Sequence, residues 1–238
     1  MDAAPLAFDR ARLDGAAWLV GIDEAGRGAL AGPVVAAAVA VRADVLTADA
    51  LHGLAAVAGD SKTLPASVRE GVLAEIGAAA AGDLLRFAPG EASVAEIETA
   101  NILGATKLAM ARAVAALGED LAVPVASDAA GPLFDAVAPP AVRLLVDGLP
   151  LKGFPYRHEA VVKGDASSLV IALASIVAKV TRDRRMRELA PRYPAYGFDR
   201  HVGYGTGAHR AALHQHGRCP EHRTRFLRKV LPTDDKAH

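Results

Sequence analysis

The stretch GIDEAGRGALAGPVVAAAV, residues 21–39, places two adjacent carboxylates between an apolar run and a glycine-rich connection. Residues 16–23 predict a buried strand and residues 33–41 predict a second one, so the two form a hairpin. A half-buried carboxylate is costly unless it is paired, hydrogen-bonded or bound to a metal ion, and adjacent carboxylates also repel each other. Asp23 and Glu24 therefore predict a positively charged partner. Because side chains alternate between the faces of a strand, a bulge or a strand end must intervene if both are to point into one site.

The remaining patterns alternate between helices and strands. Helices are predicted at residues 65–82, 93–117 and 167–190, and strands at residues 83–90, 141–147 and 159–165. The helix at residues 93–117 begins with a capping box, in which Ser93 precedes Glu96 by three residues. This order of elements predicts a mixed α/β sheet in one continuous domain.

Charge is unevenly distributed along the chain. The 238 residues carry no formal net charge, yet residues 1–151 hold 10 Lys and Arg against 19 Asp and Glu, and residues 152–238 hold 17 against 8. This asymmetry suggests a polyanion bound by the basic third, although solvated basic helices would also explain it. Cys219 is the only cysteine, so no intrachain disulfide can form. The N-terminus shows no secretory pattern and no run reaches membrane-spanning length, so we expect a cytoplasmic protein that does not enter a membrane.

Acidic residues end three of the predicted strands. Asp23 and Glu24 end the first, Asp147 ends the strand at 141–147, and Asp165 ends the strand-like run at 159–165. Each acid alone could be a turn residue or a helix cap, but together they could converge at one edge of the sheet. Oxygen ligands suit hard cations such as Mg²⁺ or Mn²⁺, which support phosphoryl chemistry in pairs.

These acids lie in an ordered set of motifs that closely resembles bacterial ribonuclease HII. Besides the opening stretch, the motifs are DSKTL at 60–64, LVDG at 145–148, KGDASS at 163–168, ASIVAKVTRDRRM at 174–186 and YPAYGFDRHVGYGT at 193–206. The resemblance covers most of the chain, about residues 17–228, and departs from the family in a longer connection at residues 118–142.

The resemblance implies a ribonuclease H-like mixed sheet flanked by helices, with a core over about residues 17–190 and a C-terminal helical extension over about residues 191–230. It implies a monomeric, metal-dependent endonuclease that hydrolyses the RNA strand of RNA–DNA hybrids. It also implies cleavage on the 5′ side of ribonucleotides embedded in duplex DNA, leaving 3′-hydroxyl and 5′-phosphate ends. Two divalent ions, Mn²⁺ or Mg²⁺, would be held by Asp23, Glu24, Asp147 and Asp165.

The same resemblance suggests residues that contact substrate. Gly26, Arg27 and Gly28 match a motif whose backbone approaches the minor groove, where glycine permits close contact and the 2′-hydroxyl distinguishes RNA from DNA. Tyr204 resembles a tyrosine that contacts the 2′-hydroxyl and packs on the next sugar. The further candidates are basic or polar and could contact the nucleic-acid backbone; they are Ser61, Lys62, Lys163, Lys179, Arg182, Arg184 and Arg185.

Three other interpretations remain open from the residues alone. His214, His216, Cys219 and His222 could suggest zinc, but their spacing matches no standard zinc pattern. A glycosidase with two carboxylates would explain the paired acids but leave the Gly26–Gly28 motif and the basic third without a role. A non-catalytic hybrid-binding module would explain the basic third but not four acids.

Overall fold

The computed structural model describes residues 4–58, 64–126, 141–228 and 230–231. Within these residues, five strands form one mixed sheet in the order β3-β2-β1-β4-β5. The strands are β1 (Trp18–Ala25), β2 (Val34–Arg42), β3 (Leu85–Ala92), β4 (Val142–Asp147) and β5 (Glu159–Val161). The β1–β2 and β2–β3 pairs are antiparallel, and the β1–β4 and β4–β5 pairs are parallel. The mixed sheet that the sequence predicts is confirmed.

Helices cover both faces of this sheet. They are α1 (Ala4–Arg12), α2 (Ala43–Thr47), α3 (His52–Ala58), α4 (Ala66–Ala81), α5 (Val94–Ala115), α6 (Gly164–Ser167), α7 (Leu169–Leu189), α8 (Phe198–His201), α9 (Gly207–His216) and α10 (Thr224–Leu227). Short 3₁₀ turns lie at Asp49–Leu51, Glu119–Leu121, Ala190–Arg192 and Pro194–Tyr196. No helix in the described ranges is both long and apolar enough to cross a membrane.

The two central strands are buried on both faces, which explains their nearly continuous apolar sequence. Along β2, Ala36 and Ala38 pack toward α5, while Ala37 and Val39 pack toward α7. Alanine keeps both surfaces of β2 shallow. At Gly21 of β1, a Cβ atom would lie 2.3 Å from the backbone carbon of Val170, so α7 lies directly against the strand. This close packing fixes α7 relative to the end of β1.

Two local predictions need correction. The helix predicted at 93–117 has its capping box at Ser93 and Glu96, but it kinks at Asn101, whose φ of 59° is left-handed. Asn101 Oδ1 accepts the N–H groups of Leu103 and Gly104 and so starts the next helical stretch. The strand-like run predicted at 159–165 ends as a strand at Val161, and its last residues begin α6.

A third group of buried side chains joins the end of α7 to the C-terminal helices. It includes Met186 of α7, Phe198 of α8 and Leu213 of α9, packed against Leu30 in the connection between β1 and β2. The C-terminal segments therefore fold back onto the glycine-rich stretch. The predicted division into a core and a helical extension within a single domain of residues 1–238 stays a prediction.

Candidate active site

Asp23 and Glu24 lie at the end of β1, where the sheet opens. The pairing of β1 with β4 stops at Ile22, whereas its pairing with β2 continues regularly to Ala25. The bulge considered above is therefore absent from the β1–β2 ladder, and it is the end of the β4 pairing that exposes this edge. Asp23 points toward α7 and is 4% exposed, while Glu24 lies on the opposite face. Both still border one cleft of about 360 Å³.

Asp147 reaches the same cleft from the end of β4. It shares the α7 side of the sheet with Asp23, and its Oδ1 atom accepts the N–H of Gly164 at 2.7 Å. That bond links the ends of β4 and α6. Asp165, the second residue of α6, is 7% exposed and does not border the cleft; it directly follows Gly164, whose N–H bonds Asp147. The structure thus gathers Asp23, Glu24 and Asp147 around one cleft and connects Asp165 to them through Gly164.

The cleft concentrates negative charge around a buried acid. Burial raises the pKa of Asp23 well above its usual range, and the neighbouring charges of Glu24 and Asp147 raise it further. Hydrogen bonds from Ser175 and from the backbone N–H of Glu24 oppose these effects. A cation in the cleft would favour the ionised carboxylates, and the all-oxygen donor set fits Mg²⁺ or Mn²⁺.

The acids are nonetheless held by protein partners. Glu24 Oε1 bonds Arg27 Nη1 at 2.9 Å, and Asp147 bonds Gly164. Throughout the described ranges, no three His, Cys, Asp or Glu side chains form a ready-made metal-ligand group. A cation must therefore compete with Arg27 for Glu24.

The glycine-rich connection and Tyr204 form the wall of this cleft. Gly26, Arg27, Gly28 and Tyr204 all border it, and Arg27 and Gly28 are exposed. Gly26 has φ +92°, and a Cβ there would lie 1.9 Å from Arg182 Nε, so only glycine fits without displacing that side chain. A substrate bound here would meet both this backbone and the carboxylates.

The predicted basic residues fall into different environments. Lys179 borders the cleft and bonds Asp183 at 2.8 Å. Arg184 is exposed and bonds Glu70. Arg185 is exposed and bonds Glu188 at 3.2 Å.

Lys163 is exposed and takes a left-handed φ of 56° just before α6. Ser61 and Lys62 lie outside the described residues.

Arg182 corrects the sequence prediction. Its side chain is fully buried, and its guanidinium donates to the carbonyls of Pro33, Val202 and Ala31 at 3.1, 3.0 and 3.2 Å. A buried guanidinium that is already hydrogen-bonded to backbone cannot meet a phosphate. Its spacing from Lys179 on the helix predicted exposure, but the glycine-rich connection covers that part of α7.

Comparisons with known proteins agree with this geometry. Residues 20–229 match the sequence model described as ribonuclease HII. A ribonuclease HII from Paracidovorax citrulli is 50% identical over 208 residues, which are 87% of this chain and 73% of that protein. The chain belongs to the ribonuclease HII family. Enzymes of this family are endonucleases that hydrolyse phosphodiester bonds, which disfavours the glycosidase and the non-catalytic module.

Solved structures show the fold of this ribonuclease HII family member. Ribonuclease HII of Archaeoglobus fulgidus, solved in complex with PCNA, is 24% identical, with 92% of this chain and 98% of that chain covered and a TM-score of 0.65. A ribonuclease HIII (Bst-RNase HIII) in complex with Mn²⁺ is 18% identical, with 90% and 67% covered and a TM-score of 0.56. The ribonuclease H-like fold is thereby confirmed.

Two residues that border the cleft were missed from the sequence. Ser175 on α7 hydrogen-bonds Asp23, and Arg69 on α4 borders the cleft and lies 4.0 Å from Asp183. Ser175 is a lone hydroxyl in the apolar first half of α7, and that was the only signal for it in the sequence. Arg69 had no comparable signal because its position depends on how α4 packs on α7.

The zinc interpretation is not supported by the arrangement of its four residues. His214 and His216 are exposed on α9, whereas His222 is 3% exposed and bonds His209. Cys219 Sγ lies 3.1 Å from His222 Nδ1, which makes one close pair, not a four-ligand site. These residues instead support the C-terminal fold.

Proposed function

We propose that this protein cleaves the RNA strand of RNA–DNA hybrids and cuts on the 5′ side of ribonucleotides embedded in duplex DNA. The observation that carries the proposal is that Asp23, Glu24 and Asp147 border the same cleft as Gly26–Gly28 and Tyr204. A carboxylate group suited to phosphodiester hydrolysis thus lies beside groups suited to sensing a 2′-hydroxyl. Roles in ribonucleotide excision repair and DNA replication, in the cytoplasm and as a monomer, stay predictions.

Two divalent cations, Mg²⁺ or Mn²⁺, would be held by Asp23, Glu24, Asp147 and Asp165. The solved ribonuclease HIII carries Mn²⁺, which supports this assignment by fold. When bound, the ions supply Lewis acidity and charge neutralisation at the scissile phosphate. The buried carboxylate of Asp23, which lies near the like charges of Glu24 and Asp147, would be a central ligand of this set.

The remaining groups orient the substrate. The exposed backbone at Arg27 and Gly28 can approach the minor groove without a side chain intervening at Gly28, where added atoms would meet open space. The ring of Tyr204 can pack on the sugar that follows the ribonucleotide, and its hydroxyl can contact the 2′-hydroxyl. Lys179 supplies positive charge on the cleft wall. The candidates Lys163, Arg184 and Arg185 would contact phosphates outside the cleft, and Ser61 and Lys62 stay predictions.

The test uses three labelled duplexes of one sequence: all DNA, DNA with one ribonucleotide, and DNA paired with continuous RNA. Each is incubated with Mg²⁺ or Mn²⁺ and the products are resolved at single-nucleotide resolution. We expect cutting 5′ of the ribonucleotide and a 3′-hydroxyl at the new end, because the 2′-hydroxyl serves recognition and is not the nucleophile. A 2′,3′-cyclic phosphate, or cutting on the 3′ side, would contradict the proposal.

Asp147→Asn should abolish cleavage while leaving the fold intact. The amide oxygen still accepts the Gly164 N–H, but the charge that holds a cation is lost, so we expect a rate loss of about a thousandfold or more. Single-turnover rates and circular dichroism provide the measurement. Asp44→Asn is the matched control, since Asp44 is exposed and paired with Arg42 far from the cleft. Near-wild-type cleavage by Asp147→Asn at saturating metal would contradict the assigned site.

A further inference from the structure

Arg223 lies between α9 and α10 and is fully buried. The partners of its side chain lie 190 or more residues earlier in the chain. Its guanidinium donates to five backbone carbonyls of the connection between β1 and β2. The acceptors, with donor–acceptor distances, are Gly26 at 2.8 Å, Arg27 at 3.1 Å, Ala29 at 2.9 Å, Gly32 at 2.9 Å and Pro33 at 3.0 Å. One C-terminal side chain therefore organises almost the whole connection.

Other groups also bond the connection between β1 and β2. The backbone N–H of Arg223 donates to the carbonyl of Leu30 at 2.9 Å, and Arg182 donates to Ala31 and Pro33. On the other side, the N–H groups of Leu30 and Ala31 donate to the carbonyl of Gly203, next to Tyr204. The connection is thus held between the two buried arginines and the segment that carries Tyr204.

The orientation of the peptide groups follows from these bonds. In a trans peptide, the carbonyl of one residue and the N–H of the next point in opposite directions. Because Arg223 binds the carbonyls of Gly26 and Arg27, the N–H groups of Arg27 and Gly28 point away from Arg223. In the described residues neither of these N–H groups donates to a backbone carbonyl, and both residues are exposed at the cleft.

We propose that Arg223 is a positioning residue for ribonucleotide recognition, which orients the Arg27 and Gly28 N–H groups toward the cleft by holding the carbonyls before them. The role rests on the proposed function, because a nucleic-acid 2′-hydroxyl or sugar oxygen is the group these donors would meet. A lysine cannot replace the guanidinium, since a single ammonium cannot reach five carbonyls that surround a planar fork.

The first experiment tests the geometry without substrate. Hydrogen–deuterium exchange of the free wild-type protein should show slow exchange at Ala29–Gly32 and fast exchange at Arg27 and Gly28. In Arg223→Lys, exchange at Ala29–Gly32 should accelerate by roughly tenfold or more while the central strands stay protected. Fast exchange of Ala29–Gly32 in the wild type would contradict the proposal that Arg223 holds this connection in place, even if no Arg223 variant folds.

The second experiment measures recognition. The value of kcat/KM is measured on a DNA duplex with one ribonucleotide, and the inhibition constant of the matching all-DNA duplex reports backbone binding. For Arg223→Lys and Arg223→Ala, kcat/KM should fall roughly ten- to hundredfold, while the inhibition constant changes less than about twofold. Added guanidinium at millimolar concentration should partly restore Arg223→Ala. The control is Arg86→Ala. Arg86 lies on β3 and bonds Asp120, so this variant should match the wild type.

The outcomes separate the two proposals. If the wild type cleaves neither ribonucleotide-containing duplex, the proposed function fails, and with it the recognition role. If the wild type cleaves but folded Arg223 variants keep wild-type kcat/KM, only the positioning role is overturned. Equal losses in kcat/KM and in binding of the all-DNA duplex would also overturn it, because they indicate general damage to the binding surface.

Discussion

At the scale of single residues, the ring of Tyr204 at the cleft is contacted by two basic side chains, Arg182 and Lys179. The Arg182 guanidinium is 5.1 Å from the centre of its ring, and Lys179 Nζ is 5.4 Å from it. Arg182 is buried beneath the ring, so it orients Tyr204 and does not contact phosphate. These two contacts hold the ring in place, and a contact between its hydroxyl and substrate stays part of the proposal.

Tyr204→Phe should separate these two contributions. Phenylalanine keeps the ring contacts but loses the hydroxyl, so we expect kcat/KM on the single-ribonucleotide duplex to fall about tenfold. Tyr204→Ala also loses sugar packing and should fall roughly a hundredfold. Steady-state kinetics measure both, with Tyr193→Phe as the control. Equal losses for the Phe and Ala variants would show that packing contributes nothing.

Two buried histidines support the segment behind Tyr204. The N–H of Cys219 donates to Nδ1 of His222, so the proton of His222 lies on Nε2 and donates to Nε2 of His209 at 2.9 Å. His209 Nδ1 then donates to the carbonyl of Tyr204 at 3.0 Å. The chain of bonds requires both rings to be neutral.

Stability should therefore fall in acid through His222. Burial, and then the neighbouring His209, lower the pKa of His222 from 6.5 to about 4. Its contribution is fully present above pH 6.5 and is lost progressively as the pH falls from 6.5 to about 4, by up to about 3 kcal/mol. Denaturant unfolding of the wild type and of His222→Gln should converge over this range. His214→Gln, at an exposed position, should run parallel to the wild type; failure of the His222 variant to converge would contradict the assigned charge state.

At the scale of elements, the contact between β1 and α7 places Asp23 against Ser175. The contact depends on Gly21, which lets the backbone of α7 approach the strand. Gly21 thus sets how closely α7, which carries Ser175, lies against the strand that carries Asp23.

Gly21→Ala should destabilise the protein by several kcal/mol. The added Cβ would lie 2.3 Å from the carbonyl carbon of Val170, and the three nearest atoms all belong to the backbone of Val170 and Ile171, so no flexible side chain can move away. Gly77→Ala in α4 is the matched control, because its Cβ meets nothing within 4 Å and alanine favours helix by about 0.5–1 kcal/mol. Thermal and denaturant unfolding measure both. A Gly21→Ala protein as stable as the wild type would show that α7 can shift.

At the scale of the whole molecule, arginines of the basic third on α7 pair with acids from the rest of the chain. Arg184 bonds Glu70 of α4, and Arg185 lies 3.6 Å from Glu91 of β3. These pairs bring the C-terminal charge back over the sheet, so a bound nucleic acid must replace acidic partners to reach the guanidinium groups.

Binding of a hybrid should weaken with salt, because phosphate contacts release counterions. Replacing Arg184 and Arg185 with alanine should reduce the slope of log Kd against log salt by about 1 to 2. Titrations across a range of salt concentrations measure the slope. The control is Arg42→Ala with Arg86→Ala, which removes the same charge near the opposite end of the sheet. An unchanged slope in the Arg184 and Arg185 variant would place the phosphate contacts elsewhere.

Local patterns predicted most elements for a physical reason. Buried strands such as β1 and β2 need apolar runs, and a capping box such as that at Ser93 satisfies backbone donors within four residues. The kink at Asn101 escaped prediction because the apolar spacing continues across it. The helix α1 was not predicted. It is held in place by Asp9, whose Oδ2 accepts the N–H of Val170, 161 positions away, and no local pattern shows such a contact.

The sequence by itself indicated which acids and glycines form the cleft, because their residue types and order limit both its chemistry and its backbone conformation. Only the tertiary structure decided which basic side chains are buried in the fold and which are exposed. Arg182 and Arg184 are two residues apart on α7, yet one is buried under the glycine-rich connection and the other is exposed. Arg223 gave no local signal either, because its five acceptors come from residues nearly two hundred positions earlier. Burial of a charge depends on every segment packed around it, and that information is not present in any one stretch of the chain.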